Sequence, residues 1–274
     1  VDLDLNEEQR AILDAVGQLL EQHAGAERAI ELNRKGEYDG ALDAALVEAG
    51  FAGIALGEET GPLEAALVVE AVARGAGVVS IGAQALVATG VAGRTLPGPV
   101  AVTQAAHRGP VRFAAHARTL LVDLGDEARC VTLEPHEAEP VRSNFMLPMG
   151  RLDIDSARGE SLGRGSGSRL RDWWRLALAA EATGCMRAAL EVTVDYVKRR
   201  RQFGRAIGSF QALQHRLSHC AVLIEGSRWL VYEAAHRDAP AEAAALAAAH
   251  ALAAANQVFT ETHQLTGAMG FTRE

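Results

Sequence analysis

The stretch YVKRRRQFGRAIGSFQALQH, Tyr196 to His215, starts as a helix, breaks at Arg199, Arg200 and Arg201 followed by Gln202, Phe203 and Gly204, and resumes as a second helix. Arginines in a last turn offset the negative end of a helix, which is one reading of this cluster. The other is an anionic ligand. A guanidinium forks onto diphosphate oxygens with charge-assisted hydrogen bonds. Arg200 at the helix end can aim outward while Phe203 packs and Gly204 lets the backbone turn.

The rest of the chain sets bounds on that ligand. It has 274 residues, a formal net charge of -8 and 49% hydrophobic residues, many of them alanine, with only 5% aromatic. Alanine is the best helix former, so the composition leans helical. Lys35 and Lys198 are the only lysines beside many arginines. With an acidic overall balance this reads as compositional bias and argues against nucleic-acid binding. No apolar run looks long enough to span a bilayer, and the N-terminus, VDLDLNEEQRAILDAVGQLL, is acidic and amphipathic, unlike a signal peptide. Cys130, Cys185 and Cys220 are odd in number and scattered, which predicts a reducing, cytoplasmic setting without a disulfide framework.

Three regions separate. Residues 1–97 read as a helical domain, with apolar residues at helical spacing in Leu13, Val16, Leu19 and Leu20. A second helix ends at Gly50 before a short apolar segment, and a third, GPLEAALVVEAVARGAG, stops at Gly75 and Gly77. Over 98–165 the period changes: PVAVTQAA, TLLVDLG, RCVTLEP and EPVRSNF are short, β-branched and turn-bounded, the strands of a small β-domain. GESLGRGSGSRLRD, Gly159 to Asp172, reads as a linker or hinge, because no strand–loop–helix context supports a phosphate loop. Residues 166–274 are helical again. Leu178, Ala182, Cys185, Ala189, Val192 and Tyr196 step by three and four along one helix, and Leu213, Leu217, Cys220, Ile224 and Val231 along the next. A third helix starts near Pro240 and stops at Gly267, predicting a bundle of long antiparallel helices.

With these features in place the sequence resembles the acyl-CoA dehydrogenase family over nearly its whole length. LNEEQRAILDAVGQLL is similar to the family's opening helix, and LVEAGFAGIALGEETG to its following segment. Tyr196, Arg200, Phe203, Gly204 and Gln211 match Y-x3-R-x2-F-G-x6-Q. QLTGAMGFTRE matches Q-x2-G-G-x-G-[YF]-x-x-E, with Ala268 at the second glycine. The resemblance implies a mainly α fold: an N-terminal helical domain, a reduced middle β-domain and a C-terminal four-helix bundle. It implies FAD, and oxidation of an acyl-CoA thioester to the 2-enoyl-CoA. In the family the two motifs reach across a subunit interface to the ADP half of FAD. That assigns cofactor contacts to Arg200, Gln202, Phe203, Gln211, Gln264, Gly267, Ala268 and Gly270.

The departures from the family are as informative. Its T-E-P-x-x-G-S-D segment is reduced here to Thr103–Gln104, and no tryptophan lies between Pro99 and Gly163. The family's catalytic glutamate sits either beyond the GFTRE segment or just before an arginine at the start of the bundle. In RDWWRLALAAEATG, Arg175 matches that arginine and Trp174 occupies the base position, so both are substrate-pocket candidates. Tryptophan cannot abstract the α-proton, and no residue of this chain is assigned as catalytic. Glu181 reads as a buried or interface carboxylate of structural use. Trp173 and Trp174 could line an apolar pocket, while Trp229 reads as core. His215 and His219 form an H-x3-H pair without a third ligand, so no metal site is expected. The chain therefore reads as a shortened subunit of a heteromeric acyl-CoA dehydrogenase, similar to the α2β2 steroid-degradation type. A homologous partner would supply the flavin-ring pocket and the glutamate. Two alternatives stay open: a self-sufficient enzyme with its base beyond Glu274, and a non-catalytic scaffold subunit.

Overall fold

The computed structural model describes residues 5–134, 136–144, 147–155 and 158–270. The opening helix α1 (Glu7–His23) begins at a capping box: Asn6 accepts from the Gln9 backbone at 2.7 Å, and the Gln9 side chain accepts in return from Asn6 N–H at 3.1 Å. Helices α2 (Ala26–Lys35), α3 (Gly40–Glu48) and α4 (Pro62–Arg74) follow, with a 3-10 turn over Phe51–Leu56. In α4, Pro62 occupies the first turn and Glu64 accepts from Gly61 N–H at 2.8 Å. A buried π-helical stretch, Ala83–Ala88, leads into α5 (Thr89–Ala92); neither was foreseen in the sequence.

The middle region holds two sheets. In the first, β1 (Val100–Gln104) pairs in parallel with β3 (Thr119–Asp123), and β4 (Glu127–Thr132) pairs antiparallel with both β3 and β7 (Glu160–Arg164). The second is antiparallel, in the order β2 (Val111–Arg112), β6 (Met149–Arg151), β5 (Glu139–Val141). The linker expected over Gly159–Asp172 is corrected: Glu160–Arg164 is an edge strand and Ser166 already starts a helix. Gly163 and Gly165, at φ of 85° and 79°, supply the left-handed turns that join strand to helix without slack.

Three long helices make the C-terminal region: α6 (Ser166–Arg199), α7 (Gln211–His236) and α8 (Ala241–Thr266). Among the described residues the expected bundle has these three, with α4 packed against α6 and α7. A Cβ on Gly184 would strike the Glu70 carbonyl, so glycine sets the α4–α6 approach. Glu70 is buried there and accepts from Tyr232 at 2.7 Å; burial pushes its carboxyl above the ordinary range, against the opposing pull of Tyr232, Arg228 and Arg187.

Two expectations about these helices are overturned. The stripe from Leu178 through Cys185 to Val192 is not the core face of α6. Those three residues are exposed, and α6 buries Leu170, Trp173, Leu176, Ala180 and Met186 instead. Alanines supply apolar positions on every face of α6, so period alone could not choose between them. The segment Ala241–Gly270 is long and apolar enough to cross a bilayer by length and composition. One side of it, with Ala244, Ala247, Ala251, Ala254 and Val258, is buried in the bundle, while only 28% of its most apolar window is buried.

Candidate functional site

The arginine stretch forms a hairpin at one end of the bundle. α6 ends at Arg199, and Arg200 turns extended, its N–H donating to Tyr196 O at 2.8 Å. β8 (Arg201–Gln202) and β9 (Arg205–Ala206) pair around Phe203 and Gly204, at φ of 53° and 79°. Two successive left-handed residues suit a tight hairpin, and glycine takes that conformation freely; phenylalanine does not. Phe203 is also 89% exposed. Its ring meets Phe210 edge-on at 6.1 Å, and the Arg205 guanidinium lies 3.9 Å from the Phe210 centroid.

The three arginines differ. Arg199 pairs with Asp195 at 3.1 Å, and Arg201 donates to Gly204 O at 3.3 Å. Arg200 is exposed, and its guanidinium has no hydrogen bond or ion pair among the described residues. Gln202 donates to Arg201 O at 2.8 Å, and Gln211 is the exposed first residue of α7. Since α6, α7 and α8 run up, down and up, the end of α8 comes to the same end of the bundle. Arg216 and Glu261 form an ion pair between α7 and α8 there. Gln264 is exposed beside a groove of about 390 Å3 that also takes in Asn256, Phe259 and His263. Gly267, at φ 60°, ends α8 and opens the turn Gly267–Gly270, which carries Ala268. At Gly270 a Cβ would collide with the Thr266 hydroxyl. Phe271 to Glu274 of the same motif lie outside the described residues. His215 and His219 are both exposed on α7.

A second place lies where the β-region meets α6, and it is narrow. A cleft of about 70 Å3 remains between Val100, Val102, Phe113, Trp174 and Leu178. Arg112 and Glu181 complete its wall as a bidentate pair, both contacts 2.7 Å. Burial works against the Arg112 charge, yet the facing Glu181 carboxylate holds the guanidinium above its ordinary value. Phe113 follows at φ 64°, with Arg112 over its ring at 4.6 Å and Tyr38 edge-on at 5.6 Å. Tyr38 donates to Asp43 at 2.7 Å and accepts from Ser80 N–H at 2.9 Å. Burial first, and Asp43 second, keep its hydroxyl protonated well above the ordinary range. The cleft's facing charges, Arg112 and Glu181, are thus paired with each other.

Trp174 stands in this cleft wall. Arg175 is not among the residues of that wall: it is exposed and pairs with Asp172 at 3.0 Å. Adjacent helical residues point about 100° apart, so both could not face one cleft. Trp173 is buried against Gly90, and Trp229 packs on Tyr232 beside the core. Arg112 and Phe113 were missed in the sequence. The signal was there in Pro-Val-Arg-Phe, a charge set between apolar neighbours, but a two-residue strand is too short for period to reveal.

Beyond the Arg112–Glu181 pair, on the side away from Trp174, a larger cavity of about 740 Å3 opens between α2, α4 and α6. Cys185 is on its wall. Burial and the nearby Glu181 raise its thiol above the ordinary range, which disfavours the nucleophilic thiolate.

Residues 6–95 match the N-terminal domain of acyl-CoA dehydrogenase and residues 169–274 its C-terminal domain. The chain is 33% identical to acyl-CoA dehydrogenase IpdE2 of Mycobacterium tuberculosis, over 98% of this chain and 88% of that protein. Among solved structures, the Tcur3481–Tcur3483 steroid ACAD G363A variant superposes with a TM-score of 0.82 at 25% identity, covering 96% of this chain and 88% of that one. The ChsE4–ChsE5 complex from Mycobacterium tuberculosis shares the fold, with a TM-score of 0.79 at 21% identity over 99% and 90% of the two chains.

Proposed function

The chain belongs to the acyl-CoA dehydrogenase family, and from that premise we propose that it is one subunit of a heteromeric, FAD-dependent acyl-CoA dehydrogenase whose partner is a homologous chain. The observation that carries this is the contrast between its two candidate places. The hairpin end offers an exposed arginine without a partner among the described residues. The cleft of about 70 Å3 is far below the roughly 300 Å3 at which small-molecule pockets begin, and an ion pair forms part of its wall. The residues present fit the diphosphate half of the cofactor and do not fit its ring.

The reaction is the α,β-desaturation of an acyl-CoA, with removal of an α-proton by a carboxylate and of a hydride equivalent from the β-carbon. Bound flavin supplies the hydride acceptance. In this division of labour Arg200 holds a diphosphate oxygen. Gln202, Gln211 and Gln264 offer amides to the ADP half, Phe203 packs against it, and Gly267, Ala268 and Gly270 admit its close approach. The partner supplies the ring pocket and the base. Glu181 is not that base, because both its oxygens are committed to Arg112. Exposed Val192, Val222, Leu246 and Leu252 on the bundle helices are suited to a partner's apolar surface. The steroid ACAD and IpdE2 likenesses support a polycyclic CoA ester as substrate. The unpaired state of Cys130, Cys185 and Cys220 supports a reducing cytoplasmic setting.

The test is flavin content after gel filtration. The isolated chain should come out nearly colourless and gain FAD and thermal stability on mixing with its partner, since a partner that binds only the folded state stabilises it. A monodisperse, fully flavinated and active homo-oligomer of this chain alone would contradict the reading.

A further inference from the structure

The cavity beyond the Arg112–Glu181 pair has no part in the function proposed above. Its volume of about 740 Å3 falls within the range of about 300–1,000 Å3 typical of small-molecule sites. Ala29, Val69, Val72, Val79, Ile81 and Leu147 give it an apolar wall. Two arginines interrupt that wall. Arg74 spends two nitrogens on Glu191, both contacts 2.9 Å, and is exposed, so water reaches its other donors. Arg112 is not fully committed: a guanidinium carries five N–H donors, and one from each terminal nitrogen goes to Glu181. The remaining three find no acceptor among the described residues, and 31% of the side chain stays open. That open surface faces the cavities it lines. Among the described residues no buried side-chain nitrogen lacks a partner, so these donors are open to the cavity, and an oxygen brought by a ligand can accept from them. Because Glu181 already balances the charge, the ligand needs no charge of its own.

Arg112 and Glu181 belong to the walls of both the small cleft and this cavity, so the pair stands between them. We infer that the larger cavity is a binding site, cut off from the Trp174 cleft, for a neutral apolar molecule whose carbonyl or hydroxyl oxygen accepts from Arg112. A fused-ring ketone and a long-chain ketone both meet that chemistry.

The experiment is equilibrium dialysis of the full chain, alone and in the assembled complex, with progesterone and with 2-heptadecanone. Pregnane and heptadecane serve as oxygen-free competitors. One of the two ketones should bind at least tenfold more tightly than its hydrocarbon, and which one does so fixes the shape of the ligand. Ala188→Trp, on the α6 wall, should weaken binding at least tenfold at an unchanged melting temperature. Ala26→Trp at the rim does the same service should the first variant not fold. Replacing the pair together, Arg112→Met with Glu181→Met, should abolish the preference for ketone over hydrocarbon. The inference is overturned by no binding of either ketone, by equal affinity for ketone and hydrocarbon, or by indifference to both blocking substitutions. It is also overturned if binding by the free chain disappears in the complex, since the cavity would then be a face covered by the partner. The readout uses neither flavin nor turnover, so its failure would leave the subunit assignment standing.

Discussion

The hairpin end of the bundle and the cleft between the sheets and α6 treat their polar groups in opposite ways. At the hairpin, Phe203 holds a left-handed backbone and 89% exposure with little internal return, and Arg200 is exposed without a partner among the described residues. In the cleft, Arg112 and Glu181 close a bidentate pair, and Phe113 takes an equally unusual φ but packs against Tyr38. Strain that is compensated inside the chain belongs to a finished structure. Strain and charge left uncompensated at a surface belong to a contact with something else.

That difference can be broken by substitution. The largest effect is expected in the cleft. Arg112→Ala leaves the Glu181 carboxylate without its partner and should cost about 3 kcal/mol, the lower end for breaking a buried pair, as measured by urea unfolding. A loss below about 0.5 kcal/mol, the level of an ordinary surface substitution, would mean that this pair does not stabilise the cleft wall. Next comes Arg200→Ala. It should leave the urea midpoint of the isolated chain unchanged, yet weaken FAD retention in the assembled complex by about 10- to 150-fold, the equivalent of one charged hydrogen bond of roughly 1.5–3 kcal/mol. Full flavin occupancy at limiting FAD would remove Arg200 from the site. Phe203→Gly should shift the stability of the isolated chain by no more than about 1 kcal/mol, because relief of left-handed strain and the added freedom of the unfolded glycine offset each other. The same substitution should measurably lower flavin retention in the complex; equal retention would make Phe203 a bystander. The smallest effect on turnover belongs to Glu181→Gln, which in the assembled enzyme should keep the rate within about twofold, since no proton passes through a carboxylate already bound to arginine. If flavin reduction by acyl-CoA stops while FAD and CoA ligands still bind, the base is in this chain after all.

Much of this architecture was readable from residue order. Pro240 and Gly267 bounded α8 within a residue, and the Tyr196–Gln211 motif identified the family and the break between α6 and α7. What the sequence concealed has physical causes. Alanine-rich helices present apolar residues on every face, so the exposed Leu178–Cys185–Val192 stripe resembled a core stripe until packing against α4 fixed the orientation. Strands of two or three residues, such as β2 and β6, carry no period to detect. The pairing of Arg112 with Glu181 spans 69 positions, a separation at which local pattern says nothing about contact. The glycines of Gly159–Asp172 looked like slack and instead serve left-handed turns and tight packing.

The account turns on where the two halves of the cofactor lie, and photolabelling tests that directly. The assembled complex would be loaded in one sample with 8-azidoflavin FAD and in another with 8-azidoadenine FAD, illuminated, digested and analysed by mass spectrometry. The adenine label is expected on this chain, within 200–211 or 256–270, and the ring label on the partner. A ring label on this chain around Arg112, Phe113 or Trp174 would contradict the division of labour.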